Sequence, residues 1–314
     1  MSYNFALIGV GGYIAVRHLK AIKETGNNLV AALDINDSVG IIDSYFPEAD
    51  FFVEFERFDR HIDKLRREGT QVDFISICSP NYLHDAHIRF ALRSRAHAIC
   101  EKPLVLNPWN YDGLAEFEKE TGKKVYNVLQ LRLHSTIKAL RERIRKEPGD
   151  GIHDITLTYI TSRGNWYHYS WKGNIQKSGG IATNIGIHFF DMLIWIFGHV
   201  KNNVTHLLEC DKASGYLELE KARVKWYLSV DFNDLPEEVK KKGQRTFRSI
   251  TIDREEIEFS EGFTDLHTDT YRHILDGNGF RLEESRKSIQ VVYDIRNSKP
   301  AGRDGDCHPM LKKR

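Results

Sequence analysis

Apolar and polar residues follow two different rhythms along this chain, and the rhythm changes near residue 150. Up to about residue 125, short and almost wholly apolar runs recur at 5–8, 29–33, 51–53, 72–78, 96–100 and 125–128. Between them lie stretches with apolar residues three and four positions apart, notably 14–24, 58–68, 86–93 and 109–121. A strand apolar throughout is buried on both faces, so this half predicts a parallel sheet with helices on each side. Gly69 and Gly122 mark the ends of two of those helices. After Pro148-Gly149-Asp150-Gly151 the spacing becomes two. In Val224-Lys225-Trp226-Tyr227-Leu228-Ser229-Val230-Asp231-Phe232 every even position is apolar, and 155–160, 205–210, 215–219 and 249–252 also read as strands. That alternation predicts an antiparallel sheet with one buried and one more polar face. Helix-like stretches at 265–275 and 283–295 close the chain. The expected fold is therefore α/β followed by α+β. Residues 1–125 form the first domain and 126–314 the second, and the terminal helix is free to pack back on the first.

One turn in the first domain carries chemistry. Gly9-Val10-Gly11-Gly12 ends the run at 5–8 and opens the helical stretch from Ile14. A strand, a glycine turn and a helix start make a site for a dinucleotide pyrophosphate, because glycines let the backbone approach the phosphates and the helix dipole favours their charge. The third glycine of the usual G-x-G-x-x-G would fall at Ile14, and a small residue comes only at Ala15. Asp34 ends the second strand, where a carboxylate accepts both ribose hydroxyls of an adenosine and repels a 2′-phosphate. It selects NAD over NADP; the alternative is a loop aspartate capping the helix near Ser38.

Composition narrows the classes without adding a function. The chain has 314 residues, 41% hydrophobic and 28% charged, with a formal net charge of +1. Such a balance gives no nucleic-acid-binding surface. The longest apolar candidate, 185–197, contains His188 and Asp191, so no membrane span is expected. The first strand begins almost at once, so no signal peptide is expected. Cys78, Cys100, Cys210 and Cys307 show no paired spacing, and Cys78 and Cys100 fall in expected buried strands. A reduced, cytoplasmic protein with free thiols is expected. Neither His84-x-x-His87 nor His267 with His273 has cysteine or carboxylate partners at ligand spacing, so no metal is expected.

Three further clusters fall at strand ends or turns. Cys78-Ser79-Pro80-Asn81-Tyr82-Leu83-His84 follows the fourth main strand, at the carboxyl end where open parallel sheets bind ligands. Asn81 and His84 either contact a cofactor there or belong to a Ser-Pro turn that Asn81 caps. Glu101-Lys102-Pro103 follows the strand at 96–100, and the proline forces Lys102 out of the helical region; at that strand end Lys102 either points into the cleft of a dinucleotide site or is an ordinary surface lysine. The third runs from Gly179-Gly180 through Thr183, Asn184, Gly186 and His188 to Asp191, ahead of a nearly all-apolar helix. His188 is expected near that helix's N-terminus, where the dipole keeps an imidazole neutral and able to take a hydroxyl proton. It is otherwise a core histidine paired with Asp191.

These motifs resemble the Gfo/Idh/MocA oxidoreductase family over essentially the whole chain. Glu101-Lys102-Pro103 resembles its E-K-P signature, Ser79-Pro80-Asn81 to His84 its (S/T)-P-N-x-x-H, and Gly179-Gly180 to Asp191, apart from Asn184, its G-G-x-x-x-D-x-G-x-H-x-x-D. The longer glycine turn with Arg17-His18-Leu19, Gln130-Leu131-Arg132-Leu133-His134, Trp166-Tyr167 with Trp171-Lys172-Gly173, and Leu266-His267-Thr268 resemble the branch of UDP-N-acetylglucosaminuronate 3-dehydrogenases. The resemblance implies a Rossmann domain followed by an open-faced, largely antiparallel sheet that also serves as a homo-oligomer interface, in a dimer or tetramer. It implies NAD contacts from Gly9, Gly11, Gly12, Tyr13, Ile14, Asp34, Ser79, Asn81, His84, Glu101, Lys102 and Gln130. Substrate contacts would come from Lys102, Arg163, Trp166, Tyr167, Thr183, Asn184 and His188. Oxidation of a secondary alcohol needs a base and a hydride acceptor at about 3–3.5 Å. His188 is the base and Lys102 the cation that stabilises the alkoxide, although some family members exchange the two roles.

One departure bears on the substrate. The family usually has aspartate where this chain has Asn184. A sugar nucleotide that is also a uronic acid carries roughly three negative charges, and a carboxylate beside it in a dry cleft is repulsive by several kcal/mol. Asparagine removes that repulsion, and the change fits an anionic sugar nucleotide for surface-polysaccharide synthesis. Neutral drift and a free sugar or polyol substrate remain the alternatives. Arg163, Lys172 and Lys177 supply nearby cations, and Trp166, Tyr167 and Trp171 supply stacking faces.

Overall fold

The computed structural model describes residues 2–149, 151–257 and 265–312; Asp150 of the expected breakpoint lies outside them. The chain forms two compact units, Met1–Leu133 with Thr264–Arg286, and His134–Phe263 with Lys287–Arg314.

The first unit is a six-stranded sheet of β1 (Asn4–Ile8), β2 (Asn28–Leu33), β3 (Asp50–Phe52), β4 (Phe74–Ile77), β5 (His97–Cys100) and β6 (Val125–Asn127). Their order is β3-β2-β1-β4-β5-β6 and every pair is parallel. The intervening helices are α1 (Ala15–Glu24), α2 (Phe55–Arg67), α3 (His84–Arg93) and α4 (Pro108–Thr121). Phe5, Leu7, Leu19, Ile22, Ala32 and Ile99 are at most 5% exposed and belong to one core cluster, which is why these strands lack polar alternation. Connections run outward in both directions from β1 and β4, so their carboxyl ends flank the crevice where such sheets take ligands.

The helix Leu266–Leu275 returns to this unit and packs on α1, with Tyr271 and Ile274 inside the core cluster. Phe280 then extends the β6 edge, its carbonyl accepting the Asn127 N–H at 2.9 Å. Cys100 is buried, whereas Cys78 stands one residue past β4 and is half-buried; all four cysteines are free.

The second unit begins with α5 (Ser135–Lys146) and holds β7 (His153–Thr161), β8 (Val200–Leu208), β9 (Lys212–Leu219), β10 (Ala222–Ser229), β11 (Thr246–Ile252) and β12 (Glu255–Glu256). The order is β12-β11-β7-β10-β9-β8. The sheet is mixed, because β10 runs parallel to β7 while the other pairs are antiparallel. The chain leaves the sheet after β7, passes through helical turns, and returns by way of β8 and β9.

The alternation of the 224–232 segment stops early. Val224, Trp226 and Leu228 are buried as expected, but the strand ends at Ser229 and Phe232 lies 45% exposed in a 3-10 turn. Tyr227 and Ser229, on the opposite face, are also buried, and both hydroxyls donate to Asp234, at 2.8 and 2.7 Å. Leu235 and Val239 close over Ile160 on that side. One end of the more polar face is therefore covered, and the sheet is open only in part. Among the described residues, one segment is long and apolar enough to cross a membrane, Ile175–Phe197, and 78% of its apolar window is buried inside the fold.

Candidate active site

The glycine turn is shaped by a close approach of two strand ends. Gly9 has φ of +89°, and a Cβ there would lie 2.6 Å from the carbonyl carbon of Cys78, just past β4. Only glycine meets both conditions. Gly11 donates its N–H to Asp34 Oδ2 at 2.9 Å, and a Cβ on Gly11 would stand 3.2 Å from that carboxyl carbon. Asp34 Oδ1 accepts from the Asn36 N–H at 2.9 Å, whereas the Ser38 N–H goes to Asn36. Asp34 thus binds the glycine turn and its own loop, and does not cap a helix near Ser38. Gly12 faces the Gly9 carbonyl, which a Cβ would approach to 3.1 Å. Tyr13 is 88% exposed and Ile14 precedes the first residue of α1, so the extra residues lengthen the turn and not the helix.

The motif after β4 is arranged differently from expectation. Asn81 is buried and opens a 3-10 turn whose cap position is Pro80, so it is not the helix cap. Ser79 Oγ lies 2.8 Å from His87 Nδ1. The His84 ring is 1% exposed, with Nδ1 2.7 Å from the Pro103 carbonyl and Nε2 2.8 Å from the Ser79 carbonyl. Both ring nitrogens of His84 lie within hydrogen-bond distance of backbone carbonyls. It ties the turn after β4 to the turn after β5. Burial lowers its pKa, against the two carbonyls and Glu101, which favour the cation.

Glu101 is likewise engaged by the protein. Its side chain turns inward and is 6% exposed. Oε1 accepts from His18 Nε2 and from His267 Nε2, each at 3.0 Å, and Oε2 accepts the Lys102 N–H at 3.3 Å. The carboxylate is thus occupied by donors from the protein itself. Burial pushes its pKa up, but the two histidine hydrogen bonds and the charges beside them outweigh burial and hold it well below the usual range. Burial conversely lowers the pKa of His18 despite Glu101. His18 and His267 were invisible as partners of Glu101, which lies 83 and 166 positions away from them. Contrary to the spacing argument, His267 does gain a carboxylate neighbour. Lys102 itself is half-buried, and the Lys102–Pro103 peptide is cis.

Gln130 opens the 3-10 turn after β6. Its Oε1 is buried and has no hydrogen-bond partner, so a donor such as a carboxamide fits there. Together with the Gly9 approach and the Gly11–Asp34 contact, this orphaned acceptor makes the first unit a good fit for a nicotinamide dinucleotide.

The second unit gathers the other candidates around an unusual helix. Helical turns run unbroken from Ile181, with π geometry over Ala182–Gly186, into the α-helix Ile187–Phe197. His188 is therefore not at a helix N-terminus, and Gly186 before it has helical angles, φ −90° and ψ −27°. The dipole argument for a neutral ring does not apply; π turns do, however, concentrate at functional sites. Thr183 is fully buried and its hydroxyl lacks a partner, while Asn184 Nδ2 donates to Tyr167 Oη at 2.9 Å. Tyr167 is 1% exposed, and burial raises its pKa. Trp166 is 53% exposed and Arg163 is exposed. Lys172 Nζ sits 5.4 Å from the Trp166 ring and 4.9 Å from the Trp171 ring, so the cation is held on aromatic faces.

A parallel sheet with a glycine turn and a strand-end carboxylate in one unit, and a polar π turn on a mixed sheet in the other, fits a two-domain nicotinamide-dependent oxidoreductase. Residues 3–128 match the Gfo/Idh/MocA oxidoreductase family, NAD-binding Rossmann fold, and residues 149–246 match its C-terminal alpha/beta domain. The chain belongs to this family. It is 51% identical to the WlbA (WbpB) dehydrogenase from Thermus thermophilus, solved with NAD and UDP-GlcNAcA, with a TM-score of 0.94 over 98% of this chain and 99% of that one. The same dehydrogenase has been solved with NAD and alpha-ketoglutarate. The WlbA dehydrogenase from Bordetella pertussis, at 19% identity and a TM-score of 0.76 over 96% of this chain and 98% of that one, shares the fold. Among curated relatives, glucose-6-phosphate 3-dehydrogenase of Bacillus subtilis is 26% identical over 62% of this chain. The matched segment spans 53% of that relative, and 36% of the D-glucoside 3-dehydrogenase of Escherichia coli.

Proposed function

We propose that this protein oxidises the C3 hydroxyl of UDP-2-acetamido-2-deoxy-D-glucuronate to the 3-keto sugar with NAD. The observation that carries this reading is the 51% identity over nearly the whole chain to a dehydrogenase solved with NAD and UDP-GlcNAcA. Inositol 2-dehydrogenase of Rhizobium meliloti, by contrast, is 29% identical over 68% of the chain.

NAD supplies the hydride acceptor. The first unit binds it through the turn Gly9–Gly12, with Asp34 on the ribose and Gln130 offering Oε1 to a donor. His188 takes the hydroxyl proton, and the Lys102 ammonium stabilises the oxyanion; the exchanged assignment is resolved by the pH dependence of single variants. Thr183 offers its hydroxyl to the substrate. Asn184, fixed by Tyr167, presents an uncharged group to an anionic sugar, and Arg163 and Trp166 serve the diphosphate and the base. In the protein's setting we place it in the cytoplasm, as a homo-oligomer through the exposed part of the second sheet, supplying a 3-keto sugar for lipopolysaccharide assembly. Light scattering tests the assembly.

The decisive experiment is turnover of UDP-GlcNAcA and of myo-inositol, followed as NADH formed. Turnover of the first alone supports the proposal, and turnover of the second alone favours a polyol dehydrogenase. Binding of NAD without turnover of either indicates a regulator on an oxidoreductase scaffold. His188→Asn should lower kcat by about 10²–10⁴-fold, and an unchanged rate removes it from the mechanism. The alpha-ketoglutarate bound to the similar dehydrogenase favours a second reading, in which NAD stays bound and is reoxidised by that 2-oxoacid. Sustained turnover at substoichiometric NAD, dependent on added 2-oxoglutarate, tests it.

A further inference from the structure

Five buried side chains beneath Lys102 form a single hydrogen-bonded chain. Ser76 Oγ lies 2.6 Å from Tyr271 Oη, which lies 2.7 Å from His18 Nδ1. His18 Nε2 and His267 Nε2 both reach Glu101 Oε1, and Glu101 Oε2 accepts the Lys102 N–H. Ser76, Tyr271 and His18 are 0% exposed, and His267 is 1% exposed. One arrangement of protons satisfies every contact. Ser76 donates to Tyr271, Tyr271 donates to His18 Nδ1, and each imidazole carries its proton on Nε2 and donates it to an ionised Glu101.

The same atoms admit a competing use. The donor atoms of His18, Glu101 and His267 lie within 4.8 Å of one another, close enough to hold a metal ion. Coordination would use both Nε2 lone pairs and move the His267 proton to Nδ1. That nitrogen is buried without any partner. Metal-bound histidines nearly always donate their second N–H, and a buried orphan N–H is rarer than an orphan acceptor. The hydrogen-bonded anion is the arrangement the surroundings satisfy.

The location gives this chain of contacts a task. Glu101 Oε2 accepts the N–H of Lys102, so this carboxylate reaches the lysine through its backbone. We propose that His18, His267 and Tyr271 are positioning residues, which fix Glu101 as a buried anion so that its second oxygen sets the backbone of Lys102 and the placement of the ammonium on the substrate hydroxyl. This rests on the dehydrogenase reading above. Loss of one donor leaves the buried carboxylate short of a hydrogen bond, and it relaxes by moving, carrying Lys102 with it.

The test compares His267→Leu, which removes the donor and keeps the bulk, with His267→Gln, whose amide keeps an N–H near Nε2. In the NAD-bound enzyme, His267→Leu should lower kcat by about 10- to 100-fold, as expected for a lost hydrogen bond to a charged group, with the KM for UDP-GlcNAcA and the Kd for NAD little changed; His267→Gln should recover most of kcat. A His267→Leu enzyme that unfolds more readily but keeps its kcat overturns the proposal. Tyr271→Phe carries the same comparison if the leucine variant does not fold. Ring ¹⁵N spectra of the unmutated protein, with metal analysis, decide the network whatever the substrate proves to be. Nε2–H on both rings and no bound metal are expected. A stoichiometric metal, or an Nδ1–H on His18, overturns the arrangement even for an active enzyme, whereas failure to oxidise UDP-GlcNAcA with the expected spectra refutes only the substrate.

Discussion

Asp34 and Gly11 are joined by a 2.9 Å hydrogen bond from the glycine N–H to the carboxylate. The end of β2 and the turn after β1 are thereby one structural unit, with the carboxylate held at the mouth of the glycine turn. Substituting Asp34→Ala removes this bond and, in the proposed NAD site, the acceptor for the ribose hydroxyls. A hydrogen bond to a charged group is worth about 1.5–3 kcal/mol, so NAD affinity should fall by about 10- to 100-fold. The preference over NADP should shrink as well, because the charge that repels a 2′-phosphate is gone. Calorimetric titration with both dinucleotides checks this, and an unaltered NAD affinity contradicts the assignment.

Gly9 and Gly12 should respond unequally to alanine. At Gly9 the new Cβ meets the Cys78 carbonyl carbon at 2.6 Å with φ at +89°, so backbone must move. At Gly12 the nearest atom is 3.1 Å away and φ is not positive. Gly9→Ala should cost about 2–4 kcal/mol of stability, in the range of substitutions that strain backbone, and Gly12→Ala less. Urea unfolding of the two variants measures the difference; equal effects would show that the close approach to β4 does not govern the turn.

These two glycines were legible from sequence because they sit between an apolar run and a helical pattern, and local chemistry fixes their role. The six parallel strands were legible for the same reason, since burial on both faces leaves a continuous apolar signature. What the sequence hid depends on tertiary packing. Nothing near Glu101 reports that His18 and His267 converge on it. Tyr227 and Ser229 look solvent-facing by alternation until Asp234 and the turn that carries it cover them. His188 looked like the start of a helix because Gly179, Gly180 and Gly186 suggested a break. The helical turns continue through Gly186 with π geometry, and a pattern of side chains cannot report a backbone bulge.

Asn184 and Tyr167 give a test of substrate charge. The amide donates to the phenol oxygen, and Tyr167 is buried and fixed. In Asn184→Asp the phenol can turn its proton toward the new carboxylate, so the fold tolerates the exchange while a negative charge enters the site. Steady-state kinetics should show the KM for UDP-GlcNAcA rising by about tenfold or more, the equivalent of about 1.4 kcal/mol, with NAD affinity little changed. Retention of the original KM would mean that residue 184 does not face the anionic part of the substrate.

Buried neutral histidines should make the protein acid-sensitive well above the carboxylate range. The pKa of His87 is lowered to about 4 by burial, with the nearby His84 adding to the effect. That of His308 is likewise lowered to about 4 by burial, assisted by Lys225. Unfolded histidine titrates near 6.5. Above about 6.5 neither state takes up the proton, and these groups do not change stability. Between about 6.5 and 4 the unfolded chain binds protons that the native state refuses, so stability falls as the pH is lowered, by up to about 1.4 kcal/mol per pH unit for each histidine. Glu101 has the same sign in a lower window. Its pKa is depressed in the fold, so its contribution is complete above about 4.3 and is lost only as the pH falls further. The decline between about pH 6.5 and 4.5 should therefore follow the histidines. Urea unfolding across that range should show it, and His308→Phe should make it shallower by as much as one proton's worth. A flat profile over the range, or an unchanged slope in the variant, would show that His308 is protonated alike in both states.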